Sequence, residues 1–173
     1  IAMSPLKMVL VSSGEFRDFS FSALTRQGVR SDVAGHVAGG LVEASLRGVD
    51  SHGIRLLPHY LRALAAGRLN PSPDFRFQRT AYSTATLDGD HTFGHASGAI
   101  GMGHAIELAR ESGMGAVAVR NSSHFGAAAY FSLMAARQGM IGLSFTHADA
   151  LVLSHGGARP FFGTNPICFA APC

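Results

Sequence analysis

The run Asn70-Pro71-Ser72-Pro73 cannot continue any helix, and it divides the chain into two stretches of different periodicity. Before it, Ser20 to Gly67 reads helical. Ser31 is placed to cap a helix in which Val33, Val37 and Leu41 recur every four residues and share a face. Gly48 stops that helix. Gly35, Gly39 and Gly40 each weaken it by about 1 kcal/mol relative to alanine. It must therefore lean on tertiary packing, or use its glycines to let another helix approach. A second helix is expected from Arg55 to Ala66, with Pro58 tolerated in its first turn and Gly67 ending it.

After the boundary the pattern alternates. Thr84 to Leu87 reads as a short strand, Asp88-Gly89-Asp90 as a turn and Ile100 to Glu111 as a helix. Gly115 to Arg120 is a short apolar run with the look of a buried strand. Ala127 to Arg137 is helical and ends at Gly139. Ile141 to Thr146 is a second buried strand, and Phe161 to Ala170 an extended segment broken by Pro166. The order strand, helix, strand, helix, strand predicts an α/β layer built on crossover units. The expected organisation is a helical region over 17–70 and the first part of an α/β domain over 74–173. The pattern is cut off at Cys173, so that second domain is expected to be incomplete. The opening segment, Ile1 to Phe16, lacks the layout of a signal peptide and is set aside from the fold reading.

Composition removes several classes of function. Of 173 residues 47% are apolar and only 14% charged, below the one in four usual for a solvated surface. Some surface is therefore expected to be covered by a partner subunit or by further chain. The net charge of +3 comes from scattered Lys and Arg residues with no basic run among aromatics, which argues against nucleic acid. Cys168 and Cys173 form neither a metal spacing nor a disulfide framework, so a reducing cytoplasm is the default compartment. No apolar run reaches the roughly 18 residues that a membrane span needs.

Two polar clusters fall where elements meet, the usual position of sites in α/β proteins. Asp50-Ser51-His52-Gly53 joins the two helices. Arg120-Asn121-Ser122-Ser123-His124-Phe125-Gly126 follows a strand and precedes a helix. A histidine near neutrality can give a proton to a developing alkoxide and take it back. Ser51 can orient an imidazole, and the backbone amides from Ser122 to Gly126 can hold a carboxylate or a phosphate. The ordinary reading of both clusters is helix capping. His91 and His95 stand four apart without Cys or Glu beside them, so no metal site is expected. His147 and His155 read as surface or site rim. Gly98, Gly101 and Gly103 imitate a dinucleotide fingerprint in the wrong order, and no acid follows the next strand, so conventional Rossmann binding is unsupported.

Three segments together resemble one family. They are Leu46-Arg-Gly-Val-Asp-Ser-His-Gly53, Arg120-Asn-Ser-Ser-His-Phe-Gly126 and Gly156-Gly-Ala-Arg-Pro-Phe-Phe-Gly-Thr-Asn-Pro166. In this order and spacing, they resemble the malate/L-lactate dehydrogenase family of the non-Rossmann type, over about Phe21 to Pro172. The resemblance implies a helical amino-terminal region packed on a non-Rossmann α/β cofactor domain, here truncated, and generally a homodimer. It implies NAD or NADP as cofactor and a small 2-oxo or 2-hydroxy acid as substrate. It implies that His52, supported by Ser51, is the proton donor in some members and His124 in others. It also implies that Asn121, Ser122, Ser123, Phe125 and Gly126, with Thr164, Asn165 and Pro166, line the cofactor or substrate pocket.

The sequence departs from the family in three ways. An arginine that grips the substrate carboxylate in some members is replaced by Leu56, leaving Arg55 as the candidate. Ala148 stands where members often carry a serine that contacts the cofactor. Family members are also about twice as long, so the 173-residue chain alone is expected to be inactive. The competing expectations are a catalytically inactive remnant that retains only folding or dimerisation, and a hydrolase using Ser51 or Ser122. The hydrolase lacks a Gly-x-Ser-x-Gly elbow, and adjacent Ser51 and His52 are expected to be badly placed for a mutual hydrogen bond.

Overall fold

The computed structural model describes residues 10–173. Helix α1, Ser13–Thr25, begins inside the segment set aside from the sequence reading; residues 1–9 of that segment lie outside the described ones. A capping box starts it. Ser12 Oγ accepts from the Glu15 amide at 3.1 Å, and the Glu15 carboxylate accepts from the Ser12 amide at 3.0 Å.

Helix α2, Ser31–Leu46, buries Val33, Val37 and Leu41 completely, as their spacing predicts. Ser31 is not its cap. Arg30 holds that position without a side-chain cap bond, and its guanidinium instead grips Asp32 in the first turn at 2.6 Å. Past Gly48 (φ +70°) the chain makes two 3-10 turns, Asp50–His52 and Ile54–Leu56. Helix α3, Leu57–Ala65, therefore begins later than Arg55, with Pro58 in its first turn. Leu24, Val33, Val37, Leu41, Leu57 and Tyr60 form one apolar core with Phe93 and Ala96 of the following region.

Strand β1, Arg76–Arg79, which the sequence did not suggest, pairs antiparallel with β2, Thr84–Asp88. Helix α4, Gly94–Ser112, then returns the chain to β3, Ala116–Arg120, parallel to β2, which completes one crossover unit. The helix starts at Gly94 rather than Ile100 because tertiary packing overrides the low helix propensity of its glycines. A methyl on Gly98 would strike the Phe131 ring, and one on Gly101 would strike Val119. The expectation that β3 is a buried strand fails. It is the edge of a three-stranded sheet, and only Val117 is half-buried along it.

The second expected crossover does not rejoin that sheet. After α5, Ala129–Ala136, strand β4, Gly142–Phe145, pairs antiparallel with β7, Ile167–Ala170. Strand β4 is not buried either, since Leu143 and Phe145 are exposed. Between them, β5, Val152–Leu153, and β6, Pro160–Phe162, form a two-stranded pair. The single extended segment expected over Phe161 to Ala170 is thus two strands separated by the turn at 163–166. Among the described residues no helix is long and apolar enough to cross a membrane.

Candidate active site

The site forms where the 3-10 turn between α2 and α3 meets the loop after β3. Gly53 lets that turn sit on α2, because a methyl there would overlap the Ser45 hydroxyl. On the turn, Ser51 Oγ and His52 Nδ1 lie 2.9 Å apart. The two adjacent side chains therefore do bond, contrary to the expectation from extended or helical backbone. The tight 3-10 turn brings them to the same side.

Two glycines seat the opposing loop. Gly94 admits the backbone of Ser123, His124 and Phe125 against the start of α4, where any side chain would collide with it. Gly126, at φ +76°, packs directly on the His95 ring. The two cluster histidines, 72 positions apart in sequence by their numbers, are thereby stacked. The ring centroids of His52 and His124 are 5.6 Å apart with planes inclined by 25°. Behind them Tyr60, from α3, is 2% exposed and places its hydroxyl 2.8 Å from His124 Nδ1.

The electrostatics favour a neutral His124. Desolvation against this cluster is the main cause lowering the His124 pKa; His52 and His59 lower it further, and Asp149 opposes them. His95, wholly buried behind Tyr60, is pushed down to about 3 by burial, with smaller contributions from the other imidazoles. Neither His95 nitrogen has a hydrogen-bond partner among the described residues, which fits an uncharged ring held by packing. Burial raises the Tyr60 pKa, so the phenol keeps its proton.

The remaining sequence candidates divide into three groups. Asn121 takes a left-handed conformation (φ +48°) and donates to Asp88 Oδ2 at 2.9 Å, which pins the start of the loop. Ser122 Oγ lies 2.6 Å from Ser97 Oγ, and Ser123 is half-buried. Phe125 stacks on Phe131 at 5.1 Å and so anchors the loop on α5. Among the described residues, no backbone amide from Ser122 to Gly126 donates a hydrogen bond. That free donor set suits an anionic group such as a carboxylate or a cofactor phosphate.

Thr164, Asn165 and Pro166 form a turn tied to the loop after β4. Asn165 Oδ1 accepts from the Ala148 amide at 3.0 Å, and the Pro166 carbonyl accepts from the Thr146 amide at 3.3 Å. No bond joins this turn to the histidine pair among the described residues; Asp149, next to the Ala148 that Asn165 holds, acts on His124 only through its charge. Arg55 is exposed on the second 3-10 turn and forms no ion pair among the described residues, while Leu56 packs on the core. No three His, Cys, Asp or Glu residues gather to hold a metal among the described residues.

Sequence reasoning missed Tyr60 and did not connect His95 to the site. Tyr60 offered only the spacing Leu57, Tyr60, Ala63 along α3, which marks a buried face and nothing more. His95 offered only its spacing from His91 and its proximity to glycines, neither of which points to this site.

Residues 11–173 match the family described as malate/L-lactate dehydrogenase. A malate dehydrogenase of Pyrococcus abyssi is 44% identical over 164 residues, covering 95% of this chain and 45% of the relative. A ureidoglycolate dehydrogenase (NAD(+)) of Escherichia coli O157:H7 is 38% identical over 149 residues, covering 86% of this chain and 43% of the relative. The solved structure of malate dehydrogenase from Pyrococcus horikoshii OT3 superimposes with a TM-score of 0.92 at 40% identity. It covers 99% of this chain and 49% of that one. The chain spans about half the length of the curated relatives it matches.

Proposed function

This chain belongs to the malate/L-lactate dehydrogenase family, and from that premise we propose that it carries the proton-transfer half of a 2-hydroxy-acid dehydrogenase site. The reaction is the interconversion of a small 2-oxo acid and its 2-hydroxy acid. One observation carries this reading: two imidazoles from separate motifs are stacked, with each Nδ1 tied by a hydroxyl, Ser51 for His52 and Tyr60 for His124.

When bound, NADH or NADPH supplies the hydride. The chain's own residues do the rest. As the carbonyl carbon gains hydride, its oxygen becomes an alkoxide that needs a proton. His52 or His124 supplies that proton and recovers it in the reverse direction. The neighbouring His52 ring disfavours a positive charge on His124. The free amides of Ser122 to Gly126 hold a carboxylate or cofactor phosphate, with Asn121, Ser123 and Phe125 fixing the loop and Thr164-Asn165-Pro166 flanking it. Arg55, uncommitted to any acid, is the cation available to the substrate carboxylate. The protein is proposed to act as a homodimer in the cytoplasm.

Titrating the protein with NADH and NADPH by cofactor fluorescence, then screening small 2-oxo acids, tests the reading. His52→Ala and His124→Ala are each expected to lower kcat by about 10²- to 10⁴-fold, with cofactor affinity little changed. Undiminished turnover in both variants removes the proton-transfer assignment.

A further inference from the structure

We infer that Tyr60 is a positioning residue that fixes the tautomer of neutral His124, holding the hydrogen on Nε2 and so presenting that N–H as a hydrogen-bond donor to the substrate oxygen. The inference rests on the dehydrogenase reading for its catalytic meaning, although the tautomer itself does not depend on it.

The geometry leaves the Tyr60 hydroxyl one useful arrangement. It lies 2.8 Å from His124 Nδ1, and the ring that carries it is 2% exposed. A phenol offers one proton and can also accept. If Nδ1 carried the hydrogen and Tyr60 accepted it, the buried O–H would itself need an acceptor, and none other is present among the described residues. An unsatisfied buried donor is costly, whereas donation to a bare Nδ1 satisfies both groups. The neutral His124 ring must then carry its hydrogen on Nε2.

The packing around Tyr60 gives its hydroxyl a fixed direction. Phe93 meets its ring edge-on at 6.0 Å and 82°, and His95 does so at 5.5 Å and 84°. His95 is in turn held between Gly40 of α2 and Gly126 of the loop, where any Cβ would overlap its ring. Because its nitrogens are unpartnered, His95 does not compete for the Tyr60 hydrogen bond. The Tyr60 hydroxyl is thus a polar group that the helical core sends to the site.

Long-range proton–nitrogen NMR of the chain above neutral pH, with His124 signals assigned by their loss in His124→Gln, reads the tautomer directly. The expected wild-type result is a single Nε2–H form. In Tyr60→Phe, which keeps the ring, both tautomers are expected and the His124 pKa rises, because a bond that favours the neutral ring is gone. Turnover of the enzyme should then fall roughly 3- to 10-fold in kcat with KM little changed, and its protonation limb should move to higher pH. A predominantly Nδ1–H ring in the wild type overturns the inference, even if Tyr60→Phe does not fold. So does a Tyr60→Phe variant with unchanged tautomer and kcat. Full turnover in His124→Ala alongside a wild-type Nε2–H ring would sink the catalytic role of His124 while leaving the tautomer control intact.

Discussion

The helical layer and the β4–β7 sheet use their apolar residues in opposite ways. In α2, Val33, Val37 and Leu41 are fully buried, and the opposite edge of the helix carries its polar groups. In the β4–β7 pair, Leu143 faces Phe169 and Phe145 faces Ile167 across the register, so all four share one face. That face is the open one, with Phe145 70% and Ile167 78% exposed. The other face, with Ser144 and Cys168, rests on α5 through Ser132, whose hydroxyl bonds both Ser144 Oγ and the Cys168 carbonyl. A half-buried sheet ordinarily turns its apolar side inward and its small polar side outward. Apolar patterning therefore marks which residues share a face, but does not say which face this chain covers for itself.

The largest expected effect lies in the helical layer. Leu41→Ala should lower the unfolding free energy by about 2–5 kcal/mol, because a closed core cannot collapse fully around the cavity. The urea midpoint checks it, and a loss below 1 kcal/mol would erase the contrast between the regions.

A middle-sized effect follows from His95, the imidazole wedged between helix and loop. Its folded pKa is about 3 against an ordinary 6.5, so the unfolded chain binds a proton that the folded chain refuses. Stability should be at its plateau above pH 6.5 and fall as the pH drops towards 3, by about 1.4 kcal/mol per pH unit from this group. His95→Leu should flatten that slope between pH 6.5 and 5 in urea titrations. An equally steep slope in the variant would assign it to other groups.

The smallest expected effect lies on the open sheet face. Phe145→Ser should change stability by no more than about 0.5 kcal/mol, because the side chain loses little contact within the chain. It should also reduce any concentration-dependent association seen by sedimentation. A loss comparable to Leu41→Ala would mean that the face is covered within the chain after all.

Much of the layout was legible. The end of the helical stretch before Asn70, the buried face of α2, the strand at Thr84 and the break at Pro166 all follow from local rules about φ and periodicity. The elements that escaped had signals too weak to stand alone. Strand β1, Arg-Phe-Gln-Arg, is exposed along its whole length and has no apolar alternation to announce it. The first two turns of α4 are glycine-rich, and only the Phe131 ring and the loop at Ser123 explain why glycine is needed there.

The candidate site divides in the same way. The sequence by itself determined the family, through three motifs in order, and it named His52 and His124 as candidates to move a proton, with Ser51 in support. It had no means of stacking two imidazoles from distant segments, of bonding Ser51 to its own neighbour, or of bringing Tyr60 to His124 Nδ1. Those contacts depend on where α2, α3 and α4 pack against one another. Residue type sets what chemistry a side chain can perform, and periodicity sets which way it faces locally. The distance between two side chains far apart in sequence is fixed only when the whole core closes, because no local interaction spans that separation.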